Sequence, residues 1–171
     1  MSFEPHINAT TCKALKILGF VIRNTKIFSS ASSLRSLYFA LVRSVLEYGG
    51  IVWYPYLAKD QLRIERVQNK FLSYISYILK IQHPQHDYSL IRKSLNIPTL
   101  FSRRIEADRC FITSLLNGTL DVPDFHSKIS FCVPTHHTRD HSLFHIPSHS
   151  TSYGNNHSFH RMLRLANSHL F

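Results

Sequence analysis

The most suggestive spacing in this sequence belongs to cationic side chains. Arg63, Arg66 and Lys70 stand at i, i+3 and i+7, and Tyr77 follows two turns after Lys70. On a helix these positions share one side, so they make a row of positive charge that ends in an aromatic ring. Such a row can follow a phosphate backbone while the ring stacks on a base or sugar. Asp60 and Glu65 lie in the same stretch and offset part of the charge. Two smaller basic groups accompany it: Lys13, Lys16 and Arg23 near the start of the chain, and Arg103 and Arg104 with Arg109 further on. Long basic side chains also cover apolar surface with their stems or pair with nearby acids, and Glu106 and Asp108 are within reach of Arg103 and Arg104. A nucleic-acid surface therefore requires that the three groups converge on one side of the fold.

Other chemistry is poorly served. His137, His141, His145 and His149 recur every four residues, a spacing at which neutral imidazoles on a helix can bind a transition metal. Pro147 interrupts that ladder, Pro134 precedes it, no HExxH accompanies it, and Cys132 is the one nearby thiol, so it reads as a compositional tract with no metal site. There is no phosphate-binding glycine loop, no nucleophile elbow and no pair of adjacent aspartates. Glu106 and Asp108, the nearest carboxylates, point about 200° apart on a helix and cannot share one metal ion. No catalytic residue is assigned. Cys12, Cys110 and Cys132 form no CxxC pair, which argues against a disulfide framework or zinc ribbon and for a reducing, intracellular setting in nucleus or cytoplasm. The longest apolar run, Leu37 to Val42, is too short to cross a membrane, and the first ten residues lack the basic and apolar regions of a secretory signal.

The elements that would position the basic rows are helices. The chain has 171 residues, 44% of them apolar, enough for one core with or without a tail. Lys and Arg number 20 against 10 acids, a net +10 that favours a polyanionic partner. The charge is uneven: residues 1–118 hold 16 basic and 7 acidic side chains (+9), residues 119–171 hold 4 and 3 (+1), and nine of the 12 histidines fall in the latter. Ile7, Ala14, Leu15, Leu18 and Ile22 predict a helix over about 5–23. Ser29 or Ser30 caps a second one with Leu34, Leu37, Tyr38, Leu41, Val45 and Tyr48 as its buried stripe, ended by Gly49-Gly50. Pro55 makes 51–55 an extended crossing. A third helix, 58–79, turns Ile64, Val67, Phe71, Tyr74, Ile75 and Ile78 inward, with Asp60 at its positive end. A short helix over 87–95 and a longer one from the Thr99 cap to Gly118 follow. After that, 129–133 reads as a strand and 157–167 as a short helix. The expectation is an all-α fold: a three-helix bundle over 1–80, further helices packed on it over 81–118, and an irregular His/Pro-rich extension over 119–171.

Several phrases in order resemble the region that follows the polymerase palm in insect non-LTR retrotransposons of the jockey type. They are FEPHIN (3–8), KALKILGFVIRNTKIF (13–28), LYFALVRSVLEYGGIVWYPY (37–56), IERVQNKFLSYI (64–75), LNIPTLFSRRIEADRCFITSLLNG (95–118), TSYGNN (151–156) and RMLRLAN (161–167). LEYGGIVWYPY and ERVQNKF are the most telling, and the match spans nearly the whole chain. The resemblance implies a thumb and post-thumb fragment of an RNA-directed DNA polymerase, a reverse transcriptase. It would bind RNA or RNA–DNA template–primer duplex without sequence preference, through Arg63, Arg66, Lys70 and their neighbours. It also implies palm and fingers as partners, no membrane partner, and Met1 as an internal start. The parent polymerase would use magnesium. Without the paired aspartates this chain has nothing to hold those ions and is expected not to polymerise alone, so its own cofactor is none. The alternative is a non-catalytic helical interaction remnant, in which the charge serves solubility and Trp53, Tyr54 and Tyr56 pack against palm residues.

Overall fold

The computed structural model describes residues 3–27, 30–133 and 142–169. The fold class is all-α: among the described residues the one pairing of extended segments is an antiparallel bridge between Phe131 and Phe144. The helices are α1 (Glu4–Asn24), α2 (Ala31–Leu37), a π-helical segment (Tyr38–Arg43) that runs into α3 (Ser44–Glu47), α4 (Ala58–Ile78), α5 (Ser89–Leu95), α6 (Leu100–Leu116), α7 (Pro123–His126), α8 (Ser152–Asn155) and α9 (Ser158–His169). The chain divides into two units inside α6, between Arg104 and Ile105. The expected divisions at 80 and 118 do not coincide with it.

In the N-terminal unit α1 turns Ile7, Thr11, Ala14, Leu18 and Val21 inward, three or four residues apart, as a helical stripe requires. Thr11 escapes the cost of a buried hydroxyl by donating to the Ile7 carbonyl at 2.7 Å. The chain from Ala31 to Glu47 is continuous, and its buried residues are Leu34, Tyr38, Val42 and Leu46, each four apart. The sequence stripe placed Leu41 and Tyr48 there instead, but Leu41 is half-exposed and Tyr48 is 83% exposed. The wide turn of the π segment explains the difference. At 3.6 residues per turn, positions four apart drift by about 40° each step, and a stretch bonded i to i+5 takes up part of that drift. Gly49 (φ +64) then ends the helix in the left-handed conformation that glycine adopts without strain.

Helix α4 packs against α1 and α5. Ile64, Val67, Phe71, Leu72 and Ile75 are buried, and Phe71 stacks on Tyr38 at 4.2 Å with the rings nearly parallel. Burying such a side chain is worth roughly 1.5–3 kcal/mol. Trp53, in the crossing before α4, is also buried: its Nε1 donates to the Tyr48 carbonyl at 2.7 Å and His6 meets its ring edge-on at 4.9 Å. It is therefore a core residue of its own unit, which corrects the expectation that it waits for a palm.

In the second unit Ile112, Leu115, Phe144, Phe159, Met162, Leu163 and Ala166 are buried. Beyond 118 the described buried residues include single anchors such as Phe144, which periodicity does not reveal. The Asn167 side chain closes on the Phe144 backbone, donating to its carbonyl and accepting from its N–H at 3.0 Å each. Arg161 on α9 donates twice to the Asp108 carboxylate on α6, at 2.8 and 3.0 Å. The predicted strand over 129–133 is reduced to the Phe131–Phe144 bridge, whereas the predicted helix over 157–167 is α9.

Candidate functional site

Two contacts set the register of α1 against α4. Lys59 reaches the Glu4 carboxylate at 3.1 Å, and Arg63 donates to the Asn8 side chain, both pairs 55 residues apart. Tyr74, further along α4, reaches Thr25, just past the C-terminal end of α1, and the Ile22 carbonyl in its last turn. The helices therefore run parallel. The offset narrows from 55 at the Lys59 and Arg63 pairs to 52 and 49 at Tyr74, so Lys16 lies near the level of Lys70 and Arg23 near that of Tyr74, one turn short of Tyr77.

Helical spacing puts these side chains on one seam. Arg63, Lys70 and Tyr77 are seven apart, about two turns, so they share the row of α4 that touches α1, and Arg66 stands one step outward. On α1, Lys16 and Arg23 flank the row of Asn8 and Gly19 on its solvent side. Lys16, Arg23, Arg66, Lys70 and Tyr77 are all exposed, Tyr77 at 81%. None of the four cations makes an ion pair among the described residues. The result is a two-helix strip of positive charge ending in an open aromatic ring. Arg63 contributes less to it, because Asn8 and Asp60, the latter at 3.8 Å, engage its guanidinium. Lys13 is exposed on the far shoulder of α1 and lies off the seam.

The third basic group does not join. Leu100 at the start of α6 donates its N–H to Glu65 at 3.2 Å, and Glu65 lies two residues, about 200°, round α4 from Arg63. The start of α6 is thus on the side of α4 away from α1. Arg103 there forks onto Glu47 of α3, with its Nη2 at 3.0 Å, and that hydrogen bond raises the guanidinium pKa. Arg104 is 5% exposed with its guanidinium 5.7 Å from the Trp53 ring centre. Both are structural residues and leave the candidate interface. Arg109 belongs to the second unit, where it pairs with Glu106 at 3.6 Å.

What the sequence reading missed is a buried polar network around Glu65. Tyr38 donates to the Gln68 side-chain oxygen at 2.9 Å, and Gln68 donates to the Pro98 carbonyl at 2.9 Å. Burial, reinforced by Glu65 and Glu47, pushes the Tyr38 hydroxyl pKa far up, so it serves as a donor. Glu65 accepts from Arg92 at 3.2 Å as well as from Leu100, yet desolvation outweighs these partners and raises its pKa. Arg43 lies over the Phe39 ring at 3.5 Å, its pKa lowered by burial and by neighbouring Arg103. A cavity of ≈ 390 Å³ opens beside this network, walled by Leu62, Phe101, Gln61 and Thr99. Its charged groups, Glu65, Arg92 and Arg104, are spent on capping α6, on each other and on Trp53, so the cavity offers no organised catalytic set. A buried glutamine or tyrosine gives no period to read, which is why sequence spacing did not find them.

The described residues contain no group of three or more His, Cys, Asp or Glu side chains that could hold a metal ion. Glu106 and Asp108 face different arginines, so they do not fit a paired magnesium site. His137 and His141 lie outside the described residues, while His145 and His149 are exposed. No described helix is long and apolar enough to cross a membrane. The class that fold and surface define is an all-α protein with a cationic seam between two parallel helices. The chain matches no protein-family model, and no characterised protein or solved structure was found similar to it.

Proposed function

We propose that the N-terminal unit binds nucleic acid, as the thumb-like part of a reverse transcriptase of the non-LTR retrotransposon type, gripping RNA or RNA–DNA duplex without reading its sequence. The observation that carries this reading is the parallel register of α1 and α4, which sets Lys16 and Arg23 alongside the stretch of α4 that carries Arg66, Lys70 and, a turn further on, Tyr77. Exposed ammonium and guanidinium groups along a seam contact phosphates and gain from the counterions those phosphates release. Cations spread along a helical seam suit tracking of a phosphate backbone more than readout of base edges. An exposed tyrosine at the end adds a stacking platform where a duplex ends or frays. The jockey-type phrases support the same reading. In it, polymerisation belongs to the palm of the parent enzyme, with its magnesium.

Fluorescence anisotropy with a labelled RNA–DNA hybrid, at low and moderate salt, tests it. Binding that weakens steeply with salt and hardly changes with sequence is expected. No binding at low salt, or affinity indifferent to salt, refutes it. One observation favours the alternative reading of an interaction fragment: Tyr48 and Val52, at 83% and 68% exposure, with half-exposed Leu57, put apolar surface around the 48–57 crossing. That reading predicts self-association or capture of a polymerase palm domain without nucleic acid.

A further inference from the structure

The cationic seam carries side chains that phosphate contact does not explain. Phe20 of α1 is 56% exposed and Tyr77 of α4 81%. Among the described residues neither ring packs on another ring or lies under a cation. Phe20 follows Lys16 by four residues and precedes Arg23 by three, so the three side chains are neighbours on the outward side of α1. Tyr77 follows Lys70 by seven on α4. With Lys16 near the level of Lys70 and Arg23 near that of Tyr74, Phe20 falls between those levels. It is therefore about 7 Å short of Tyr77 along the shared helix direction. Packed helices lie about 8–10 Å apart, so the line from one ring to the other crosses the seam obliquely.

Cations and rings ask different things of a nucleic acid. Ammonium and guanidinium groups take phosphates from a duplex and from a single strand alike. An aromatic ring gains by stacking on the face of a base, and inside a duplex those faces are already covered by the neighbouring pairs. A blunt duplex leaves a face open only at its ends, so it cannot serve two rings placed along and across one seam. An unpaired strand presents a face at every nucleotide. Lys16 and Arg23 bracket Phe20, and Lys70 precedes Tyr77, so cation and ring alternate as phosphate and base do along such a strand. Every base has a π face, which keeps this mode of binding indifferent to sequence.

We propose that the α1–α4 seam takes an unpaired strand, with Phe20 and Tyr77 each stacking on one base while Lys16, Arg23, Arg66 and Lys70 follow the phosphates. This rests on the reading of the seam as a nucleic-acid surface and adds which part of the nucleic acid lies there: the single-stranded stretch that runs off a duplex. Stacking contributes affinity without charge, so it shifts the strength of binding and leaves its salt dependence to the cations.

Fluorescence anisotropy of the full chain with three labelled probes of equal length tests it. They are a single-stranded oligodeoxynucleotide of mixed sequence, a strand with abasic sites throughout that keeps the phosphates and lacks the bases, and a blunt RNA–DNA hybrid. The parent is expected to bind the base-bearing strand about 25-fold more tightly than the abasic one, at about fivefold or more for each ring. Phe20→Ala combined with Tyr77→Ala should remove that advantage, change affinity for the other two probes by less than about threefold, and leave every salt slope as it was. Should the alanine variant misfold, Phe20→Leu with Tyr77→Leu keeps apolar bulk and is expected to lose the same advantage, whereas Phe20→Tyr with Tyr77→Phe keeps both rings and should bind as the parent does. A parent that binds both strands equally, a leucine variant as tight as the parent, or a loss shared equally by all three probes overturns the stacking. In those cases salt-dependent binding of the hybrid still upholds the seam as a nucleic-acid surface. Absence of binding to every probe at low salt overturns both.

Discussion

Replacing Arg66 and Lys70 together by glutamine removes half of the exposed, unpaired cations on the α1–α4 seam while leaving its apolar packing alone. Both side chains are exposed and neither holds an ion pair, so helical circular dichroism and melting temperature should stay within experimental error of the parent. Binding is another matter. Four seam cations, Lys16, Arg23, Arg66 and Lys70, each neutralising one phosphate, give log affinity against log salt a slope of about −3.6. Raising salt fourfold, from about 50 to 200 mM, then weakens binding by about 150-fold. With two contacts left, the slope falls to about −1.8 and the same change costs only about 12-fold. Anisotropy titrations of a labelled RNA–DNA hybrid at four salt concentrations measure both slopes. Lys93→Gln, exposed on α5 and away from the seam, serves as the control and should leave the slope where it was. A double variant whose slope equals that of the parent, or a control that lowers it as much, would show that the seam is not where phosphates bind.

The remaining predictions concern the groups that hold the two units. Tyr38→Phe leaves the Gln68 oxygen without its buried donor and should cost about 1–3 kcal/mol in urea unfolding of the N-terminal unit, followed by Trp53, the sole tryptophan. Asp108→Ala removes both carboxylate hydrogen bonds to Arg161 at a 3% exposed position and should cost about 1.5–3 kcal/mol, seen as melting of the second unit with the Trp53 signal unchanged. Because burial raises the Glu65 pKa, the folded N-terminal unit binds this proton more tightly than the unfolded chain does. Its stability contribution from Glu65 should therefore rise as pH falls from neutral toward about 4.3, and Glu65→Gln should remove that component of the Trp53-monitored pH profile.

The sequence by itself determined the helices and most of their ends. Apolar residues at helical spacing mark α1, α4 and α9, and capping chemistry is local: Ser30 accepts from the Ser33 N–H, Thr99 from the Ser102 N–H, and Gly118 takes a positive φ past α6. Such features depend on a few consecutive residues, so they can be read in one dimension. The basic residues were legible as a list, and α1 and α4 do bring Lys16, Arg23, Arg66 and Lys70 to one seam. Only the tertiary structure decided which of these cations stay exposed without an ion pair. Arg63 is drawn to Asn8, Arg103 to Glu47 and Arg104 under Trp53, because each meets a partner tens of residues away. The π turn coincides with the swap of Leu41 and Tyr48 for Val42 and Leu46 in the core, and Asp108–Arg161 pairs residues 53 apart in the chain. Local propensity acts along the chain. Burial and charge pairing act across space, and whether a cation meets solvent or a carboxylate is decided there.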